Sequence, residues 1–271
     1  MTDTPYHVRE PEAAPIPLLL SIPHCGTELP PEVAEDLAGD DVAALPDTDW
    51  HLERLYDFAP ELGIRTIHAR YSRYLVDLNR PADGSPLYPG RAETEVVPTT
   101  TFDGRPLWRQ GRAPDEDERR RRIERYWRPY HARLRAELDA LREAHGYALL
   151  FDAHSIRSEV PRLFAGRLPG LILGDADGTS CEARIAAEVK WVLEESPFSE
   201  VANHPFKGGW ITRCFGRPDD RVHALQLEMS QRIYMDEDAP WTYRPELAER
   251  LRPVLRRALQ TFANEAAAIM A

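Results

Sequence analysis

Apolar positions along this chain fall into short runs separated by polar, proline-rich connections, with longer amphipathic stretches between them. Pro17-Leu-Leu-Leu-Ser-Ile-Pro23, Tyr147-Ala-Leu-Leu-Phe-Asp-Ala153 and Val222-His-Ala-Leu-Gln-Leu-Glu-Met229 are largely apolar runs of about 4–8 residues, the pattern of strands buried on both faces. Ile64–Arg70 alternates and Tyr74–Leu78 runs apolar, which predicts two further strands. Leu171–Leu173 is a shorter candidate, and Gly208–Arg213 falls in a stretch read as β-rich. Helical spacing predicts helices over 31–37, after the start signal Pro46-Asp-Thr-Asp49, over 115–145, over about 179–194 and over 245–270. In the last of these, Leu247, Leu251, Leu255, Ala258 and Phe262 form one stripe, and Pro253 is expected to kink or divide the helix. Alternating helices and strands predict an α/β fold with a mixed, mostly parallel sheet flanked by helices. No Gly/Ser linker, repeat or low-complexity tract interrupts it, so residues 1–271 read as one domain, with its core over about 17–240 and a C-terminal helix over 245–270.

Residues 81–114 are rich in Pro, Gly, Asp and Thr, and so long a connection predicts a functional lid or rim. The segment Asp115-Glu-Asp-Glu-Arg-Arg-Arg-Arg122 has a basic half, but each acid stands four residues before an arginine. That order suits a solvated helix with i,i+4 ion pairs and not a nucleic-acid surface. The net charge of −11 also argues against nucleic acid and requires a local cluster of arginines around any anionic substrate. The N-terminal stretch lacks the basic and apolar regions of a signal peptide, and no apolar run of about 18 residues exists to span a membrane. Cys25, Cys181 and Cys214 are odd in number and show no metal-binding spacing; a reducing cytoplasm is the expected setting. Nothing in the pattern specifies an oligomeric state.

Three of the predicted strands end in residues suited to metal chemistry: His24, His154 and Glu228. The C-terminal edge of a parallel sheet is where α/β proteins bind ligands. Two histidines there, with one carboxylate and an open position, are the donor set of a hydrolytic zinc site. Asp47 and Asp49 both compete for the third ligand, and the alternative for either is helix capping; Asp47 is preferred. Asp152, two residues before His154 and therefore on its side of the strand, is placed to orient that imidazole. Glu228 is set among apolar neighbours, which suits either a general base or a buried ion pair. Arg73, Asn79, Arg80 and Arg213 are candidates for gripping carboxylates. Cys25 beside His24 makes a poor nucleophile, because adjacent strand residues point to opposite faces.

Taken together, Ile22-Pro-His24-Cys-Gly26, Pro46-Asp47-Thr-Asp-Trp50, Tyr71-Ser-Arg-Tyr-Leu-Val-Asp-Leu-Asn-Arg80-Pro81, Trp127-Arg-Pro-Tyr-His131, Asp152-Ala-His-Ser-Ile-Arg157, Phe206-Lys-Gly-Gly-Trp-Ile-Thr-Arg213 and His223-Ala-Leu-Gln-Leu-Glu-Met229 resemble the N-formylglutamate amidohydrolases of histidine degradation. The resemblance spans about residues 17–240 and extends to the zinc carboxypeptidases and aspartoacylases, which implies their mixed-sheet α/β fold. It implies hydrolysis of N-formyl-L-glutamate, a small dicarboxylate, at one Zn²⁺ or another divalent ion. In that picture His24, Asp47 and His154 hold the metal, Glu228 moves the proton and Arg73 stabilises the oxyanion. Asn79 and Arg80 grip the α-carboxylate and Arg213 the side-chain carboxylate. One departure is visible: the carboxypeptidase pattern His-x-x-Glu meets Thr27 here, with Glu28 one residue too far, which moves the third ligand to Asp47. Two other functions compete with this reading: removal of another acyl group from an acidic amino acid, and metal-free binding of acidic amino acids.

Overall fold

A computed structural model describes residues 4–270. The first three residues of the stretch read as unlike a signal peptide, and the last residue of the chain, lie outside the described residues. Seven strands form one sheet: β1 (Tyr6–Arg9), β2 (Leu18–Ile22), β3 (Arg65–Ala69), β4 (Ala148–Ile156), β5 (Leu171–Gly174), β6 (Glu200–Ala202) and β7 (Val222–Ser230). Their order is β1-β3-β2-β4-β7-β5-β6. The central four, β3, β2, β4 and β7, are mutually parallel; β1 joins β3 antiparallel at one edge, and β5 joins β7 antiparallel at the other, with β6 parallel beyond it. Every residue of β2, β4 and β7 is buried, which is why their sequences read as almost continuous apolar runs.

Helices cover both faces. On one, Leu20, Phe151 and Leu227 pack with Val189 of the helix Ala183–Glu194 and with Leu255 and Phe262 of the helix Pro245–Met270. On the other, Leu19, Leu150 and Ala224 pack with Tyr130 and Leu134. These last two belong to a helical run built from Glu116–Arg122, a π-helical stretch Ile123–Trp127 and Arg128–His145. Among the described residues no helix is long and apolar enough to cross a membrane.

Several expectations are corrected. Tyr74–Leu78 is not a strand: Asp77 is turned inward to accept the Asn79 N–H at 2.9 Å, and the segment coils around that contact. Gly208–Arg213 is not β-rich. A helix, Trp210–Phe215, starts where the Asn79 side chain accepts the Ile211 N–H at 2.8 Å. Pro46–Asp49 does not open a helix, because His51 adopts a left-handed conformation (φ 65°) and the short helix Leu52–Leu55 begins after it. Pro253 lies inside one continuous helix; burial of Leu251, Leu255, Ala258 and Phe262 holds both halves in line. In the charged segment Asp115 is an N-cap, accepting the Glu118 N–H at 2.8 Å. Glu118–Arg122 pairs at i,i+4, while Asp117–Arg120 and Glu118–Arg121 pair at i,i+3.

Candidate metal centre and active site

The side-chain alternation of the two central strands builds the site. Ala148, Leu150, Asp152 and His154 share one face of β4, and Val222, Ala224, Gln226 and Glu228 share the same face of β7, each opposite its counterpart. The first two pairs belong to the core and the last two are polar, so the face changes from packing to chemistry toward the C-terminal ends. His24 follows β2 at the same edge, and a backbone hydrogen bond from Asp49 N to His24 O at 3.1 Å brings the 46–51 loop beside it.

His24, Asp49 and His154 are buried, and their ligand atoms lie within 4.8 Å of one another. Both rings turn Nδ1 toward Asp49 Oδ2, at 3.9 Å for His24 and 3.3 Å for His154. Both donate through Nε2 to a carboxylate, His24 to Asp77 Oδ1 and His154 to Asp152 Oδ2, each at 2.8 Å. This fixes the tautomer that leaves Nδ1 as the donor for a cation. Asp49 Oδ2 accepts the Ser155 N–H at 3.0 Å, while the buried Oδ1 has no hydrogen-bond partner. Asp49 thus stands with Oδ2 between the two imidazoles and with a buried Oδ1 that no hydrogen bond satisfies, a carboxylate that a bound cation would complete. Two imidazoles and a carboxylate with room beside them therefore fit a divalent ion, and Zn²⁺ suits the donor set.

Asp47 is corrected as the third member. Its Oδ2 points away and accepts the Phe102 N–H at 2.8 Å, and burial raises its pKa, opposed by that bond and by Tyr74. Burial alone would raise the Asp49 pKa, yet the hydrogen bond and charge of His154, with His24 and Arg73, hold it below the usual carboxylate value. For His154 burial favours the neutral ring, but Asp152 and Asp49 outweigh it and raise its pKa well above normal. The His24 pKa is lowered by burial and by Arg73. A cation at this cluster would take the place of the His154 proton.

Arg73 is buried, donates to Asp77 Oδ2 at 2.6 Å, lies 3.7 Å from Asp49 Oδ1 and sits over the Phe102 ring. Its guanidinium is the largest influence opposing burial at Asp77, whose pKa falls well below normal. These groups line a cavity that opens to solvent, which Glu228, Asn79, Arg80 and Gln226 also line. Glu228 lies opposite His154 in the strand register, and burial pushes its pKa up to about 8. Asn79 Nδ2 is 2.9 Å from His154 Nε2, and Gly209 must be glycine because a Cβ there would collide with that amide. Arg80 donates to Thr94 O at 3.0 Å and stands 3.8 Å from Glu93. Arg213 is not brought to the cavity wall; its Nε donates to Gly208 O at 2.9 Å. Cys25 Sγ faces Ile22 O and Ala69 O, away from the cavity, and burial raises its pKa well above normal.

Sequence reasoning missed Asp77, Gln226, Tyr88, Arg91 and Phe102, all of which touch this cavity. Asp77 was legible as a lone acid in an apolar run, and Gln226 by its spacing from Glu228. The other three come from the 81–114 connection, whose rim position was expected but whose contacts depend on tertiary folding.

A sequence profile of N-formylglutamate amidohydrolase matches residues 16–235. The N-formylglutamate deformylase of Pseudomonas aeruginosa is 53% identical over 247 residues, covering 91% of this chain and 92% of that protein. That of Pseudomonas putida is 50% identical, covering 90% and 91%. The crystal structure of N-formylglutamate amidohydrolase from Ralstonia eutropha shares the fold, with a TM-score of 0.81 at 24% identity over 97% of this chain and 98% of that one. The chain belongs to the N-formylglutamate amidohydrolase family.

Proposed function

We propose that this chain hydrolyses N-formyl-L-glutamate to L-glutamate and formate, with a divalent ion, Zn²⁺ by its donor set, held by His24, Asp49 and His154. The observation that carries the reading is the pair of imidazoles aimed through Nδ1 at one buried carboxylate, beside a buried glutamate and arginines. A cation held there supplies Lewis acidity, making water a better nucleophile and the formyl carbon a better electrophile. Glu228 takes a proton from the attacking water and delivers it to the nitrogen as the C–N bond breaks, releasing formate and the amine. Arg73 faces the charge that develops on the formyl oxygen, an interaction worth roughly 3–4 kcal/mol per donor in comparable sites. Arg80 holds the α-carboxylate. Asn79 lines its approach, with its side-chain oxygen held by the Ile211 N–H. The same reading carries the reaction to histidine degradation in the cytoplasm.

Formate release from N-formyl-L-glutamate, set against N-acetyl-L-glutamate, tests the substrate. Turnover of the formyl compound is expected; turnover of the acetyl compound alone would replace the substrate while keeping the chemistry. Asp152→Asn is expected to weaken Zn²⁺ binding by roughly 10–100-fold, because the His154 ring loses the carboxylate that sets its tautomer. Competition against a chromophoric chelator reads this, and an unchanged affinity would remove Asp152 from the account.

A further inference from the structure

We infer that Arg91, and not Arg213, binds the side-chain carboxylate of the substrate and so sets the preference for glutamate. The assignment rests on the deformylase reading above. N-formyl-L-glutamate carries two carboxylates, and three arginines line the cavity: Arg73, Arg80 and Arg91. Arg73 is committed to Asp77 and Asp49. Arg80 is held by Thr94 with Glu93 nearby. Arg91 has no carboxylate within ion-pair distance among the described residues. Its NH1 donates to Pro205 O at 3.1 Å and its guanidinium lies 5.8 Å from the Tyr88 ring centre, which leaves other N–H groups for a ligand.

The surroundings favour a carboxylate at the end of an apolar chain. Phe102, Ile156, Leu163 and Phe206 line the same cavity and suit the two methylenes of a glutamyl side chain. Arg91 is also pre-positioned. The Tyr88 hydroxyl donates to Gly208 O at 3.1 Å and accepts the Lys207 N–H at 3.0 Å, so the loop carrying Arg91 is tied to the loop across the cavity. Arg213 serves that tie from outside: its Nε bonds the same Gly208 carbonyl and its guanidinium lies 5.0 Å from the Tyr88 ring centre. A guanidinium already oriented by a carbonyl and a ring loses less freedom when it grips a planar carboxylate.

The experiment compares kcat/KM for N-formyl-L-glutamate and N-formyl-L-glutamine in the unsubstituted chain, Arg91→Gln and Arg213→Gln. A site built around a charged partner rejects the neutral isostere, so the unsubstituted chain is expected to prefer the glutamate compound by about 100-fold or more. In Arg91→Gln the glutamate value falls by about 100-fold, mainly through KM, and the glutamine value by only a few-fold, so the preference collapses. Arg91→Lys restores part of it, since the charge returns without the fork. Equal losses on both substrates in Arg91→Gln would overturn the assignment and leave Arg91 as a loop tie. Collapse of the preference in Arg213→Gln alone would overturn it in favour of Arg213. No turnover of either compound by the unsubstituted, Zn²⁺-supplied chain would overturn the deformylase reading, and this assignment with it.

Discussion

Glu228→Gln is expected to lower kcat for N-formyl-L-glutamate by roughly 10²–10⁴-fold while the fold and Zn²⁺ affinity persist. Glutamine keeps the shape and the strand register opposite His154 but cannot carry a proton between water and amine. The carboxyl is tuned for that task. Burial is the main reason that its pKa rises to about 8; Asp49 and Asp152 push the same way, while His154 and Arg73 oppose them. A cation beside it lowers the value again. The acid limb of the kcat/KM profile should therefore disappear in the variant. The chelated protein offers a second reading. Because the folded pKa is raised above the ordinary 4.5, the contribution of Glu228 to stability is full below that value and is lost as pH rises through about 8. Thermal unfolding of chelated protein should show a smaller decline from pH 5 to above pH 8 in Glu228→Gln than in the parent. A loss of activity under about tenfold would exclude Glu228 as the proton carrier.

Asp49→Ala and Asp47→Ala are expected to part company. Asp49 supplies the oxygen toward which both imidazoles turn, so its removal should abolish activity and cost more Zn²⁺ affinity than the roughly 10–100-fold typical of a supporting residue. Asp47 holds the Phe102 N–H, so its removal should loosen the rim and raise KM while Zn²⁺ stays bound. Metal content after dialysis and steady-state kinetics separate the two. Retained metal in Asp49→Ala, or lost metal in Asp47→Ala, would reverse the ligand assignment.

These two aspartates mark how far the sequence was legible. His24, His154 and Glu228 were readable because each ends an apolar strand, and a parallel sheet gathers such ends at one edge. Asp152 followed from period-2 alternation alone. The choice between Asp47 and Asp49 depended on a left-handed residue, His51, that ends the loop and lets Asp49 fold back beside His24. Position 51 carries no glycine to announce that turn. Tyr74–Leu78 misled for a related reason: its apolar residues are buried as a strand's would be, but Asp77 ties the backbone into a coil. Gly208–Arg213 misled because its helix is started by a side chain from far along the chain, Asn79. Local pattern reports burial and periodicity, and contacts of this range override it. Arg213 and Arg91 are the same residue type, and only the fold separates them: it brings Arg91 to the cavity and leaves Arg213 outside it, bonded to Gly208 O.

The central claim is that hydrolysis of N-formyl-L-glutamate runs at one divalent ion held by His24, Asp49 and His154. Titrating chelated protein with Zn²⁺ while recording formate release tests it most directly. The account predicts activity that is lost on chelation, rises in proportion to bound Zn²⁺ and saturates at about one ion per chain. Full activity in protein stripped of metal, or saturation that persists after Asp49→Ala, would contradict it.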